Sequence, residues 1–229
     1  MDKDERFPLL PVITGFFVCV LVLIPSTAAK FIAVGPFNIA GATLIFPIAF
    51  IFNDVLTEVY GYERSRRIIW VGFAAQVFAA GVYALIDVWP PASFWDKQAE
   101  YSAILGQAPR IVLASLTAYF CGEFINSYIL SRMKYSQNGK RGSAQAVRFA
   151  ASTFFGQLID SSVFMIVGFY GVLANSDLLK TIVTIWLLKS AYEILLLPLS
   201  MRLSNWIKVR EGIDRIDAPE NTNYSPFKI

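Results

Sequence analysis

Six long apolar segments restrict what this chain can fold into more than any other feature of its sequence. Each one holds the ~20 residues that an α-helix needs to cross the ~30 Å hydrocarbon core of a bilayer. Lipid offers the backbone no hydrogen bonds, so helices are favoured over open strands. The chain is therefore predicted to be an all-α membrane protein, a six-transmembrane-helix bundle. The segments are Leu9–Ala29, Ala40–Tyr60, Ile68–Val88, Ile111–Leu130, Phe149–Tyr170 and Leu178–Leu203.

The composition agrees with burial in lipid and argues against several functions. Apolar residues make up 55% of the 229 residues and charged residues only 16%, against about 25% charged in an average soluble domain. There is no histidine, which removes the commonest general base and metal ligand. The nucleotide-binding P-loop, the H-E-x-x-H motif and the G-x-S-x-G motif are also absent. We expect no cofactor, no metal, no enzyme activity and no nucleic-acid partner.

The basic residues alternate between the connections. Fifteen of the twenty Lys and Arg residues lie in the N-terminal stretch, in connections 60–67 and 131–148, and in the C-terminal tail. The positive-inside bias places these stretches, and both termini, in the cytoplasm. A cleaved signal peptide over the first segment is an alternative, although Asp2, Asp4 and Glu5 are unusual in the basic start of such a peptide.

Residues outside the spans carry three further predictions within a single domain, 1–229, whose core is about 9–208. β-forming residues surround a Gly35-Pro36 turn signal, which predicts a short outward hairpin between the first two helices. The connection Pro90–Gln107 is predicted to lie as an amphipathic cover over the outer face. The polar end, 213–229, is expected to be a frayed, flexible cytoplasmic tail.

Polar side chains interrupt five of the six apolar segments. A charge at the centre of a bilayer costs at least ~2.5–3.5 kcal/mol, so such residues face a shared interior. At 1.5 Å per residue, Asp160 and Lys189 lie about 18 Å from Arg148 and Asp177, and Glu123 about 20 Å from Arg110, so all three lie nearly at one depth. The interrupting residues include Asn53, Asp54, Thr57, Glu58, Gln76, Glu123, Asn126, Gln157, Asp160, Lys189 and Glu193.

Several of these residues also have a purely structural interpretation. Asp160 is the exception, because no basic residue of its own helix lies near it, and its expected partner is Lys189 or a ligand. The structural alternatives are surface pairing of Asp54 and Glu58 with Arg64, Arg66 or Arg67, an intrahelical pair of Lys189 with Glu193, and interhelical hydrogen bonds from Gln76 and Asn126.

Four motifs, in order along the chain, resemble a known family. They are N-D-V-L-T-E-V-Y-G-Y-E-R-S-R-R at Asn53–Arg67, C-G-E-F-I-N at Cys121–Asn126, F-G-Q-L-I-D-S at Phe155–Ser161 and K-S-A-Y-E at Lys189–Glu193. Over roughly Leu9–Lys208 the chain is similar to the queuosine precursor transporters, also described as vitamin-uptake-type transporters. The resemblance implies a multi-pass protein of the bacterial inner membrane. It would take up 7-cyano-7-deazaguanine and 7-aminomethyl-7-deazaguanine for queuosine modification of tRNA.

A guanine-like base fits the polar residues of the spans. Two adjacent N–H donors on one edge suit a carboxylate, the ring acceptors suit amides or an ammonium, and the flat faces suit aromatic rings. We expect the carboxylate of Asp160 or Glu123 to accept hydrogen bonds from the donor edge of the base, in a water-filled chamber sized for a planar base. The predicted binding set is Asp160, Gln157, Glu123, Asn126, Lys189, Glu193, Gln76, Tyr192 and Phe155. The predicted gate or clamp is Asp54, Glu58, Asn53, Arg64 and Arg67.

Other functions and couplings stay open at this point. The chain is also compatible with a substrate-binding subunit of an ATP-driven vitamin importer, although the resemblance implies no ATPase partner. A third hypothesis is an intramembrane enzyme that uses the carboxylates of Asp54, Glu58, Asp160 and Glu193. Facilitated and ion-coupled transport are both compatible with the motifs, and so is a homo-oligomer in the lipid bilayer.

Overall fold

A computed structural model describes residues 7–34, 37–106 and 109–228. Within these ranges the chain forms seven α-helices and one β-hairpin. The elements are α1 (Leu9–Ala28), β1 (Phe31–Val34), β2 (Phe37–Ala40), α2 (Ala42–Tyr60), α3 (Tyr62–Val88), α4 (Gln98–Leu105), α5 (Pro109–Ser136), α6 (Ser143–Phe169) and α7 (Asn175–Glu211).

The helices confirm an all-helical protein that can cross a membrane several times. Five helical segments of the described chain, those containing α1, α3, α5, α6 and α7, are long and apolar enough to span a bilayer. Helix α2 is the remaining long helix of the bundle. The sixth span and the side on which the termini lie stay predictions.

Helix α2 is the central element of the bundle. It contacts α1, α3, α5 and α7, and every residue from 53 to 60 is buried. On its apolar side, Val55 and Leu56 pack with Phe17 of α1 and Ile69 of α3, all fully buried. The polar residues of the same helix therefore face neighbouring helices and not lipid.

Two glycines set the distance between α5 and α6, which form the most extensive helix pair. A Cβ on Gly122 would lie 2.9 Å from Cβ of Asp160, and a Cβ on Gly156 would lie 2.9 Å from Cβ of Asn126. Any side chain at either position would push the helices apart. Small residues allow this kind of close approach in membrane helices. The contact places Asp160 and Asn126 directly at the helix–helix seam.

The predicted hairpin is confirmed, and its position on the outward side stays a prediction. Strands β1 and β2 pair antiparallel, with Phe31 opposite Ala40 and Val34 opposite Phe37. The turn expected at Gly35-Pro36 lies outside the described residues.

The connection predicted as an amphipathic cover contains α4. None of its residues is buried, so α4 rests on the rim of the bundle. It is tied to the end of α3, where Ser102 and Gln98 donate hydrogen bonds to the Asp87 carboxylate. Gln107 lies outside the described residues.

The C-terminal tail, described over 213–228, is folded against the bundle, so the expectation of a frayed tail is wrong for these residues. The buried Asp217 carboxylate accepts a hydrogen bond from the backbone N–H of Tyr62 at 2.8 Å. Arg66 donates to two tail carbonyls at 2.6 and 2.8 Å, and Trp70 donates to a third at 2.8 Å. These anchors are mostly backbone groups, which leave no apolar pattern in the sequence. We call the end of the bundle that the tail covers the terminal face.

Candidate functional site

Polar side chains from α2, α5, α6 and α7 meet inside the bundle. All of them are buried except Lys189, which is partly exposed. The close α5–α6 seam and the central position of α2 bring them together. We call this set the polar core. Its members are Asp54, Glu123, Asn126, Gln157, Asp160, Lys189 and Glu193, and we include the buried Ser161 and Ser190, which follow Asp160 and Lys189 in the chain.

An ion pair joins α6 to α7 in the polar core. The Lys189 ammonium donates to the Asp160 carboxylate at 2.7 Å, with the two side chains 29% and 11% exposed. This confirms the partner expected for Asp160. It also replaces the alternative in which Lys189 pairs with Glu193 in its own helix. On its other side the ammonium lies 4.1 Å from the ring centroid of Phe46 in α2, a cation–π distance.

Two amide side chains connect further pairs of helices by donating hydrogen bonds to carboxylates. Asn126 of α5 donates to the Asp54 carboxylate of α2 at 2.7 Å. Gln157 of α6 donates to one carboxylate oxygen of Glu193 in α7. Asp54 was expected to belong to a gate with Glu58, but the structure places its carboxylate in the polar core.

The polar core contains an unusual concentration of buried atoms without a hydrogen-bond partner. Both carboxylate oxygens of Glu123 lack one, and so does Oε2 of Glu193. An unsatisfied buried polar group costs ~1–3 kcal/mol, and native interiors contain few of them. The remaining unpartnered atoms of the set are Oδ1 of Asn126, Oε1 of Gln157 and the hydroxyls of Ser161 and Ser190. Most are acceptors, so the site lacks donors.

The polar core also has more negative than positive charges. The polar core has four carboxyl groups and one ammonium, which is already paired with Asp160. Glu123 is close enough to Asp54 and Asp160 for like-charge repulsion, and Glu193 is close enough to Glu123 and Asp54. Repulsion is strong in a low-dielectric interior. The arrangement therefore favours a donor-rich ligand, protons, or both.

A chamber sized for a planar base was expected among these side chains. The two described cavities lie elsewhere: one of about 530 Å³ is bordered by α1, α3, α5 and the end of α4, and one of about 570 Å³ lies between α1 and α3. Neither is lined by a residue of the polar core. The chamber among these side chains therefore stays a prediction.

A second group of charges lies under the terminal face. Arg148 donates to both carboxylate oxygens of Glu58, with the Nε bond at 2.8 Å. Lys208 donates to the same carboxylate at 2.6 Å, and all three side chains are almost fully buried. Lys134 donates to the backbone carbonyl of Glu58 and to the carboxylate of Asp214. We call Glu58, Lys134, Arg148, Lys208 and Asp214 the ionic cluster.

The tail completes the ionic cluster through Asp214, which also lies 3.0 Å from the Lys208 ammonium. Burial raises the pKa of Asp214, but the hydrogen bonds and charges of Lys134 and Lys208 outweigh it. The pKa of Asp214 is therefore below its ordinary value. Its carboxylate is ionised at neutral pH and helps to neutralise three cations.

The ion-pair partners of Glu58 differ from those predicted for the gate. Glu58 is bound by Arg148 and Lys208 and not by the arginines of the α2–α3 connection. Arg64 instead donates weakly to the Tyr60 carbonyl at 3.4 Å, and Arg67 is exposed. The physical reason is that Glu58 faces α6 and α7, whereas these arginines follow the α2–α3 turn and line the groove between α1 and α3.

Asn53, also assigned to the gate, has a structural role. Its amide donates to Ser127 at 3.1 Å and its oxygen accepts from Ser65 at 3.0 Å. The Thr57 hydroxyl lies within hydrogen-bond distance of the same two serines, at 2.8 and 3.0 Å. These buried hydroxyl and amide groups join α2, α3 and α5, as polar residues commonly do between membrane helices.

Three residues of the predicted binding set lie away from the polar core. Gln76 lines the cavity between α1, α3 and α5. Phe155 and Tyr192 are 47% and 36% exposed on the outer faces of α6 and α7. They neighbour Gln157 and Glu193 in sequence, but one or two residues turn a helical side chain by about 100° or 200°.

Sequence reasoning missed other members of both groups. Ser161 and Ser190 lie inside the quoted motifs, and Ser161 follows Gln157 at i,i+4, a spacing that indicates a shared helix face. Lys134, Arg148 and Lys208 were attributed to topology alone, and Phe46 and Asp214 carry no signal in the sequence. The polar residues that were correctly brought together are Asp160, Lys189, Glu123, Asn126, Gln157 and Glu193.

A bundle of membrane-crossing helices with ionisable groups in its interior defines a multi-pass membrane transporter. The sequence model of the family described as "Putative vitamin uptake transporter" matches residues 40–203, and the chain belongs to this family. Family and relatives are transporters and not enzymes, and for a bacterial member they indicate the inner membrane.

Three relatives have related names. The chain is 28% identical to a "Probable queuosine precursor transporter" of Bacillus subtilis, over 68% of this chain and 67% of the relative. It is 23% identical to the "Queuosine precursor transporter" of Escherichia coli, over 74% and 72%. It is 23% identical to a "Probable queuosine precursor transporter" of Haemophilus influenzae, over 58% and 53%. No solved structure matches the chain.

Proposed function

We propose that the protein takes up 7-cyano-7-deazaguanine and 7-aminomethyl-7-deazaguanine across the bacterial inner membrane, to supply queuosine modification of tRNA. The names of the relatives support a queuosine precursor as the class of substrate. The observation that carries the proposal is Glu123, a buried carboxylate whose two oxygens have no partner. The bundle crosses the membrane six times, with both termini and the terminal face in the cytoplasm.

The chemistry of the polar core complements such a base. A 7-deazaguanine has adjacent N–H and NH₂ donors on one edge, and the Glu123 carboxylate accepts both. Further acceptors, Oδ1 of Asn126 and Oε1 of Gln157, suit the remaining donors of the base. The ring of Phe46, which faces Lys189, offers a flat surface for stacking, worth ~1–3 kcal/mol per base.

Transport requires the helices around the polar core to separate, because its side chains are largely buried and joined across the helices by hydrogen bonds. Helices α5 and α6 are locked by their glycine seam and move together. The base then enters between this pair and α2 or α7, where the polar core has single hydrogen bonds and the Asp160–Lys189 pair. On the cytoplasmic side the ionic cluster joins α2, α5, α6, α7 and the tail and acts as the clamp that keeps this end closed.

The proposal is tested by binding and by uptake. The purified protein is heated with 7-cyano-7-deazaguanine, guanine and a set of vitamins, and a bound ligand raises the melting temperature by mass action. Uptake is then measured in cells that cannot make the base. We expect Glu123→Gln to abolish both the shift and the uptake, because the amide places a donor against the donor edge of the base.

A matched control is Glu100→Gln, which changes an exposed carboxylate of α4 and is expected to leave both measurements unchanged. The proposal fails if the 7-deazaguanines give no thermal shift, or if a vitamin gives it in their place. Normal uptake by Glu123→Gln would remove this carboxylate from the site.

A further inference from the structure

Glu193 of α7 has a carboxyl group whose two oxygens are treated differently by the structure. One oxygen accepts a hydrogen bond from Gln157 of α6. The other, Oε2, is buried without a partner, although the residue is only 5% exposed. Hydrogen bonding therefore satisfies one oxygen of this group and leaves the other buried without a partner.

The charged groups that act on Glu193 come from four helices. They are Asp54 from α2, Glu123 from α5, Asp160 from α6 and Lys189 from α7 itself. Lys189 is engaged with Asp160 at 2.7 Å. An ionised Glu193 would thus face three further carboxyl groups in a low-dielectric interior, where uncompensated charge is costly.

A proton on Oε2 resolves both problems at once. It removes the charge from Glu193, and it converts the unpartnered acceptor into an O–H donor. The described residues contain no group of three or more Asp, Glu, Cys or His side chains arranged to hold a metal ion.

We propose that uptake of the base is coupled to a proton carried by Glu193. This inference depends on the proposed function, because coupling requires a transported base. A proton from the outer water attaches to Oε2 of Glu193, and the resulting O–H donates to a ring acceptor of the base. Glu123 remains ionised and accepts the N–H donors on the other edge. When the site opens inward, the base leaves and the proton passes to cytoplasmic water.

Base and proton favour each other's binding in this arrangement. The ionised Glu123 that reads the base stabilises a proton on its neighbour Glu193, and the protonated Glu193 provides a donor that the base can use. By thermodynamic reciprocity, each then raises the affinity of the other. The inward proton gradient therefore drives accumulation of the base.

Calorimetry of the purified protein with 7-cyano-7-deazaguanine tests the linkage. Titrations in two buffers with different ionisation enthalpies give the number of protons taken up on binding, and we expect about one per base at alkaline pH. In that range the affinity should fall about tenfold per pH unit. In Glu193→Gln, whose amide has the shape and donor of a protonated carboxyl, both proton uptake and pH dependence should disappear. Glu100→Gln serves as the matched control and should keep the wild-type linkage.

Uptake into vesicles separates failure of this inference from failure of the proposed function. Acidification of the outside should accelerate wild-type uptake and should leave any residual uptake by Glu193→Gln unchanged. If the wild-type protein does not bind the base, the proposed function is wrong. If the base binds with no proton uptake and no response to the pH gradient, transport stands and proton coupling is wrong. A response to a sodium gradient alone would also show that proton coupling is wrong. The titrations of the wild-type protein test the coupling even if the Glu193→Gln variant does not fold.

Discussion

The polar core and the ionic cluster both bury charged side chains within one bundle, yet they balance them in opposite ways. In the ionic cluster three cations surround two carboxylates, and each charge has a partner at hydrogen-bond distance. In the polar core four carboxyl groups share one ammonium, and Glu123 has no partner. Buried charges that only stabilise the fold need partners within the protein. A ligand with hydrogen-bond donors needs acceptors that are still unpaired. The difference supports the proposal that the ionic cluster is a clamp and the polar core is a binding site.

The strongest test of this comparison is the loss of Glu58. Removing one partner from a buried charge cluster leaves the others uncompensated, at a cost of about 3–5 kcal/mol. We expect Glu58→Ala to unfold at much lower temperature in detergent, or to fail to accumulate in the membrane. Glu123→Gln, in the polar core, should melt at or above the wild-type temperature because it removes an unpaired charge. Equal melting of the two variants would mean that the regions do not differ.

The second test concerns transport. Asp160→Ala releases Lys189, whose nearest alternative partner is Glu193 at i,i+4 in its own helix. The ammonium would then hold Glu193 in its ionised form and remove the O–H donor that the base is proposed to use, so we expect uptake to fall by about a hundredfold. The protein should still be present in the membrane, as judged by immunoblotting. Asp96→Asn, an exposed carboxylate outside the bundle, is the control. Uptake at the wild-type rate by Asp160→Ala would exclude this ion pair from the site.

A third test addresses the close contact between α5 and α6 at Gly122 and Gly156. Gly122→Ala would place a methyl group 2.9 Å from Cβ of Asp160 and 3.3 Å from the carbonyl oxygen of Gly156. We expect α5 and α6 to separate and the protein to lose about 1–3 kcal/mol of stability, as with other overpacked interfaces. Gly81→Ala is a matched control, because a Cβ there has no neighbour within 4 Å. If both alanine variants melt alike, the seam does not set the helix spacing.

The fold was predictable where one physical requirement decides the structure. An apolar run of ~20 residues has only one stable form in lipid, so the long helices matched the predicted segments. The tail was mispredicted because its anchors are backbone carbonyls that Arg66 and Trp70 bind. Nothing in a polar segment shows which of its carbonyls will find a donor.

The contacts of the candidate site were also predictable only in part. The Asp160–Lys189 pair was predictable because a lone charge deep in a membrane must find a partner on another helix. The partners of Glu58 were not, since Arg148 and Lys208 lie at helix ends where the positive-inside bias already explains basic residues. Phe155 and Tyr192 were chosen for their closeness in sequence, and their outward direction depends on helix rotation.

The smallest expected effect concerns the contribution of the tail to the ionic cluster. Asp214→Asn removes one of two carboxylates that neutralise Lys134 and Lys208, and because the group is partly exposed we expect a loss of about 1 kcal/mol at neutral pH. The pKa of Asp214 is lowered by these lysines in the folded protein. Its contribution is therefore complete above the pKa of the unfolded chain and is lost as the pH falls through the lower folded value. Melting curves of the wild type and the variant should accordingly differ at neutral pH and converge in acid, below the ordinary range of an aspartate. A difference that persists in acid would show that Asp214 acts through packing and not through its charge, and the ionic cluster would then rest on Glu58 alone.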